Sequence, residues 1–562
     1  MSAELIQKGL VNPEAVNNPI YRREMHQAIA ERFGADHIVM FDDTIFAVPE
    51  HLRSELRSPL PAYERALMPA TEATTCGIDT TLIVTAPPLP EEMSLAYSLY
   101  EGARIALEGS EQSVGNIQVI FAQKQPDGTF VFDDIWGMDE EHYESIVAEF
   151  AKNSPELSKV EPDEYSHIKA FEAYKEKATF GCGNVLVLPF QTVDEHHEAQ
   201  RSWGERFVLP DTASEMRDKN SMYKVLSKMD TDGVRKSEIV PWNIPIEVAE
   251  DTDLCTHAHE IISAVDQMTH LKQGAFVKLD SEGASGLGMI PPNNSEFAFV
   301  YDQQMDFDER VEKLANLIES FRWDVLPNAV VEELVDIDHQ EIFGEMEFTV
   351  GGFGIEGEFW PVCFDRCQQD GVYYISNFQS NNYEQLGITE QDAQEMHDAV
   401  AQATKMMHEA EVYSDGYIAF DIFKDRKDGK WKIHDPNLRR GGRTALRAMI
   451  SMARHDERNP INETGIFNRE MAFLVPDDID QVEYLRKLVS KMQEDDPVVG
   501  VYGTAVAYFE VTKGNQRYVK TRMTFGLQKL IDRARELSTV NADSFTVDKI
   551  AVMIAEEATQ SI

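Results

Sequence analysis

The residues of this chain that could do chemistry together are a glycine-rich loop with a lysine before it, a pair of aspartates, and a knot of arginines. Residues 280–288 read DSEGASGLG, in which Gly283, Gly286 and Gly288, with Ala284 and Ser285 between them, leave backbone N–H groups open to an anion. Lys278 stands just upstream and would supply a point charge to a phosphate. The segment lacks the Gly-Lys-Ser/Thr ending of a Walker loop. It runs into Met289-Ile290-Pro291-Pro292, so it does not open a helix as a dinucleotide loop would. A flap between two strands fits the pattern, and an ordinary tight turn is the alternative.

The aspartates lie on a hairpin. Residues 417–424 and 430–435 flank Lys427-Asp428-Gly429, a favoured turn, and that turn sets Asp421 opposite Asp435. Strand alternation puts Asn437 on the same face as Asp435. Like charges opposed in a sheet destabilise it unless something neutralises them, and here they interrupt the apolar Phe420, Ile422 and Ile433. A Mg²⁺ ion, with Mn²⁺ as the alternative, would account for them, since such ions take oxygen ligands and bridge to phosphates. A solvated sheet rim or a nearby arginine would also account for them. Directly after come Arg439, Arg440 and Arg443, with Arg447 a turn further on. Guanidinium forks suit phosphate and carboxylate; pairing with local acids is the alternative.

The elements that must position these groups are mixed α/β. Apolar runs at 37–48, 79–85, 116–122 and 184–189 read as strands, with helical patterns at 91–107 and 140–152 between some of them. Residues 154–166 read as a surface connection. Further on, 275–279 and 329–335 read as strands and 307–321 as an amphipathic helix. A helix over 390–409 takes Thr389 as N-cap and buries Met396, Val400, Ala403 and Met407. Beyond about 455 the spacing predicts a smaller α/β portion, with helices near 479–493 and 525–537 and a hairpin around 513–515. The expected domains are 1–205, 206–455 and 456–562.

With 562 residues the chain is past the size of one core. Its 98 acidic residues against 52 basic ones give a formal charge of −46, a field that repels nucleic acid and anionic lipid. No window is apolar enough for a membrane span, and residues 1–16 do not read as a secretory signal, so a cytoplasmic location is expected. Five scattered cysteines argue against a disulfide framework. Cys363 and Cys367 have no second Cys or His pair at zinc-site spacing, and His196 and His197, among Asp194, Glu195 and Glu198, read as a solvated helix start, so no metal is assigned to either.

In order and spacing these segments resemble the ATP-grasp superfamily over about residues 206–450. Residues 276–289, FVKLDSEGASGLGM, look like its strand, phosphate lysine and flap. Asp218-Lys219 resembles the pair that opens a helix and supplies a second phosphate lysine, with Lys224 as the alternative. Residues 330–335, with Glu332, Glu333, Leu334 and Val335, resemble the interlobe hinge that holds adenine. Asp421, Asp435 and Asn437 followed by Arg439 resemble the metal set, although the family's usual Glu is Asp435 here. Residues 184–211 look similar to the preceding domain of amino-acid and peptide ligases.

The resemblance implies a carboxylate–amine ligase that turns a carboxylate into an acylphosphate with MgATP and then joins it to an amine. Lys219, Lys278 and the flap would hold phosphates, and Arg439 would stabilise the transferring phosphoryl group. The ribose would meet Glu341, Glu345 or Glu347, with Glu341 taken first. Arg366 and Arg443 are candidates for the substrate carboxylate. A homodimer is implied as well. A kinase on the same ATP site, an ADP-forming acyl-CoA synthetase and a non-catalytic nucleotide sensor are the competing readings.

Overall fold

In the computed structural model the described residues run from 16 to 560. Left out are 42–63, 158–165, 190–193, 211–218, 280–288, 321–325, 439–443, 456–464, most of 477–505, 541–544 and a few isolated positions.

The first sheet is built from β1 (Ala35–Phe41), β2 (Asp79–Val84), β3 (Ile117–Lys124), β4 (Phe130–Asp134), β5 (Asn184–Leu188) and β6 (Phe207–Val208), in the order β4-β3-β2-β1-β5-β6. All pairings are parallel except β3 with β4. Val39, Phe41, Leu82 and Val187 are typical of its buried, β-rich runs, as a sheet covered on both faces requires. Helices α1 (Pro19–Phe33), α2 (Glu64–Thr75), α3 (Pro90–Ala106), α4 (Glu140–Leu157), α5 (Ser166–Lys175) and α6 (Asp194–Trp203) follow or separate the strands. The strands expected from sequence at 79–85, 116–122 and 184–189 are β2, β3 and β5.

The second sheet, order β11-β10-β12-β9-β8-β7, is antiparallel. It contains β7 (Lys228–Met229), β8 (Arg235–Lys236), β9 (Asn243–Ile246), β10 (Ala275–Leu279), β11 (Met289–Ile290) and β12 (Ala329–Glu333). The short helix α7 (Lys219–Leu226) precedes it. Its own core joins α8 (Leu254–Lys272) and α9 (Phe307–Ser320) through Ile261, Val265, Met268, Leu314 and Ile318 to Val277 and Val331.

The third sheet has eight strands in the order β19-β18-β15-β16-β17-β20-β22-β21. They are β15 (Glu347–Ile355), β16 (Glu358–Asp370), β17 (Tyr373–Gln379), β18 (Asp415–Lys424), β19 (Trp431–Asn437), β20 (Ile466–Val475), β21 (Val506–Lys513) and β22 (Gln516–Gly526); β13 (His339–Gln340) and β14 (Gly344–Glu345) form a small ribbon before it. One face packs Phe348, Phe364, Phe378, Phe467 and Phe525 against α10 (Glu390–Glu409), α12 (Leu527–Val540) and α13 (Val547–Thr559). Thr389 caps α10 in a capping box with Asp392, whose carboxylate also takes Lys424 at 2.6 Å.

The strands of the C-terminal portion join this sheet: β20 pairs with β17, and β22 with β20. Local patterning shows that a strand exists but not which edge it joins. Of the helix expected at 479–493 only isolated positions are described, and the turn at 514–515 lies outside the described residues.

The first sheet's layer also reaches the third. Tyr21 and Arg22 of α1 donate to Pro361 O at 2.9 Å and Val362 O at 3.1 Å. Arg32 pairs with Asp415. Helix α11 (Thr444–Ala453), just past the arginine-rich segment, buries Ala448, Met449 and Met452 in the same core as α2.

Candidate active site

Across the β18–β19 hairpin Asp421 stands directly opposite Asp435, as the turn residues imply. The next pair is Ile422 with Ile433, so His434 is one residue too many, a β-bulge beside the two acids. The bulge turns His434 to use. Its carbonyl accepts from Tyr223 Oη at 2.6 Å and from Lys278 Nζ, and its ring lies 3.2 Å from Glu347 Oε1. Thr349, the β15 partner of Asp421, donates its hydroxyl to that carboxylate.

Lys278 projects from β10 of the second sheet and is 2 % exposed. It lies 2.8 Å from Glu332 Oε1 on the adjacent strand β12 and 3.3 Å from Tyr223 Oη on α7. One cation therefore ties two sheets and a helix together at the bulge. Burial and the nearby Glu332 carboxylate push the Tyr223 phenol well above its ordinary value, so it stays a neutral donor.

A second cation crosses the same seam. Lys432 of β19 meets Glu333 of β12 at 3.2 Å and Asp425 at 2.8 Å. Glu333 also takes Lys272 at 2.8 Å and the Trp242 N–H at 3.1 Å. Burial alone would raise the Glu333 carboxyl; the bonds from Lys272 and Trp242 and the charge of Lys432 hold it below the usual range. The hinge acids are thus engaged within the protein. Leu334, 39 % exposed, donates its N–H to Gly274 O at 3.2 Å, and Val335 is half-buried.

The other sequence-derived residues divide clearly. Asn437 lies on β19 opposite Ala419, two positions from Asp435 and on its face. Lys219 opens α7 one helical turn before Tyr223, while Lys224 is exposed. Gly283, Ser285, Gly286, Gly288, Arg439 and Arg443 lie outside the described residues. Glu341 and Glu345 are exposed, whereas Glu347 is buried against His434.

The Arg366 guanidinium is engaged within the protein. It is fully buried and gives its five N–H groups to Glu345 O twice, Gln340 Oε1, Leu386 O and Gly344 O, at 2.6–3.1 Å. Phe343 and Phe348 cover it. Burial lowers its pKa to about 9. Position 366 faces the apolar side of β16, opposite to Asp365, which a one-residue shift of alternation decides. Arg447 is likewise internal, bonded to Asp365, Ser380 O and Phe364 O. Tyr223, Thr349 and His434 escaped sequence reasoning; the only signal was a histidine breaking the alternation of β19.

The donor set can be tested against a divalent cation. Asp421, Asp435 and Asn437 offer oxygens only, the chemistry that Mg²⁺ selects. Among the described residues no group of three His, Cys, Asp or Glu side chains is arranged to hold a metal, so the amide of Asn437 is needed to complete the set. The residues fit on those terms. No described helix is long and apolar enough to cross a membrane.

No family model matches the chain, and no curated protein matches it. Among solved structures it is similar to N5-carboxyaminoimidazole synthase from Aspergillus clavatus, in complex with ADP and 5-aminoimidazole ribonucleotide. That likeness has a TM-score of 0.41 and 10% identity, over 93% of this chain and 100% of the other. Phosphoribosylamine–glycine ligase from Thermotoga maritima gives 0.39 and 11% identity over 90% and 96%. A protein from Archaeoglobus fulgidus described as of the ATP-grasp superfamily gives 0.33 and 9% identity over 86% and 98%. With TM-scores of 0.33–0.41 these likenesses carry no argument about activity, which has to come from this chain's own residues.

Proposed function

We propose that the chain is an ATP-dependent carboxylate–amine ligase, activating a carboxylate as an acylphosphate and passing the acyl group to the amine of an amino acid or small peptide. The observation that carries this reading is the meeting of Asp421 and Asp435 with Lys278 at the His434 bulge, between two sheets. A paired acid set beside a buried ammonium, at a seam between two layers, suits a polyphosphate with its cation. A divalent ion held there would offset charge on the phosphates.

The chain's own residues have definite parts. Asp421, Asp435 and Asn437 would hold the cation. Lys278, with Lys219 at the head of α7, would contact phosphate oxygens, and Lys278 would then exchange Glu332 for the nucleotide. Tyr223 and the His434 carbonyl orient the ammonium. Gly283, Ser285, Gly286 and Gly288 would close over the phosphates, and Arg439 would stabilise the transferring group. Glu332, Glu333, Leu334 and Val335 would line the adenine edge, Glu347 the ribose, and Arg443 the substrate carboxylate. Such catalysis rests on positioning and charge neutralisation rather than on a covalent nucleophile.

The test is ADP and phosphate release from MgATP with pools of amino acids, with and without hydroxylamine. Hydroxylamine traps an acylphosphate, so a hydroxamate is the expected product. ADP release with no hydroxamate from any acid would favour a kinase instead.

A further inference from the structure

The eight-stranded sheet is apolar on one face only. On the other, the register sets Glu347, Cys367, Asn377, Asn468 and Thr524 in a row across β15, β16, β17, β20 and β22. Directly paired residues share a face, so this row lies on the face that carries Thr349 and Asp421. The row is buried throughout.

Two amides in it are unaccounted for. Asn377 is 0 % exposed, and neither its Oδ1 nor its Nδ2 has a hydrogen-bond partner among the described residues. Asn468, 1 % exposed and directly opposite, bonds Thr524 Oγ1 at 3.2 Å through Nδ2, while its Oδ1 has none. A buried amide left unsatisfied costs folding free energy, and an apolar residue of the same size would not. Two together, directly paired on the site face, mark a place where something polar binds.

We infer that Asn377 and Asn468 form a substrate subsite that recognises an uncharged hydrogen-bonding group, a carboxamide or a hydroxyl, at the end of a substrate remote from the reacting bond. The inference rests on the ligase reading for the identity of that substrate as an amino acid or short peptide. Position supports it. Asn377 sits three strands from Asp421, about 14 Å at the usual strand spacing, too far for the transferring phosphoryl group but within reach of a substrate's far end. Charge supports it as well. Amides are neutral, and the buried Arg447, which reaches this face at Asp365, is held by that carboxylate. A charged substrate end would be buried there without a counter-ion. An amide presents donor and acceptor together, which a carboxamide or hydroxyl answers and a thioether does not.

The test is the rise in thermal midpoint produced by L-glutamine, L-glutamate and L-methionine, similar in length and differing at the far end, with L-asparagine and L-serine against L-alanine. At least one carboxamide or hydroxyl member should raise the wild-type midpoint by about 2 °C or more, with its charged and apolar counterparts giving no such rise. Asn377→Leu and Asn468→Leu should abolish that rise while the ligand-free midpoint holds or increases. Asn377→Ala and Asn468→Ala repeat the measurement if the leucine variants do not fold. Equal shifts from all three side-chain classes, no shift from any of them, or a rise that survives both substitutions would overturn the inference. The last is what ordered water alone on the amides would give. Failure of the ligase reading shows separately, as a midpoint shift with no hydroxamate.

Discussion

Asp421 and Asp435 form a directly opposed pair on neighbouring strands, one step from a bulge that turns the His434 carbonyl onto Lys278. Opposed like charges weaken a sheet by a few tenths to about 1 kcal/mol. Asp435→Asn should therefore raise the thermal midpoint in metal-free buffer while lowering MgATP turnover about 100-fold or more. Asp421→Asn combined with it should lower turnover little further, because residues holding one ion act as a unit. Fully additive losses, measured as ADP release, would mean that they act separately.

Lys278 is a structural cation, paired with Glu332. Removing it leaves Glu332 buried without its counter-ion, so Lys278→Ala should destabilise the protein by about 3 kcal/mol in urea unfolding. Lys278→Met with Glu332→Gln should recover most of that loss and still bind no MgATP. Recovery of turnover in the double variant would show that the ammonium is not needed at the phosphates.

For Arg366 the expected phenotype is stability without specificity. Five satisfied donors are lost in Arg366→Met, leaving buried carbonyls unpaired, at a cost on the order of 3 kcal/mol. The KM of any substrate found should change less than about twofold. A tenfold KM increase with an unchanged midpoint would return Arg366 to the substrate.

Acid should loosen the attachment of α1 through Arg22 and Glu72. Burial alone would raise the Glu72 carboxyl, but the Arg22 guanidinium 2.5 Å away and the His26 ring bring it down to about 2. A depressed folded value means stability that is fully present above the unfolded value near 4.5 and is lost as pH falls toward 2. Thermal midpoints taken from pH 5 down to pH 2 should fall more steeply for wild type than for Glu72→Gln. Parallel profiles would remove this pair from the acid response.

The hairpin was legible in the sequence because a turn residue pair fixes register locally, and Asp421 opposite Asp435 follows from it. Thr389 as the α10 cap was legible for the same reason, since its partner Asp392 is three residues away. Arg366 was not. Whether a strand residue faces the core or the site depends on a parity set by β15 and β17, which sequence spacing does not reveal. Glu332 and Glu333 read as hinge acids, but their cations Lys278, Lys272 and Lys432 come from three other elements. The partners of Tyr223 and the facing of Asn377 by Asn468 arise only when distant elements align.

The order of strands in the third sheet has a consequence for synthesis. Because β17 pairs with β20, and β20 with β22, the sheet that holds the paired acids acquires its far edge from strands made after those acids. Until then β17 presents an open edge, and the exposed flank of Phe378 has no cover from Phe467 and Phe525. A nascent chain stopped at 455 would thus carry both aspartates on an unfinished, aggregation-prone sheet, so that the sheet is completed only once residues 466–526 have been made.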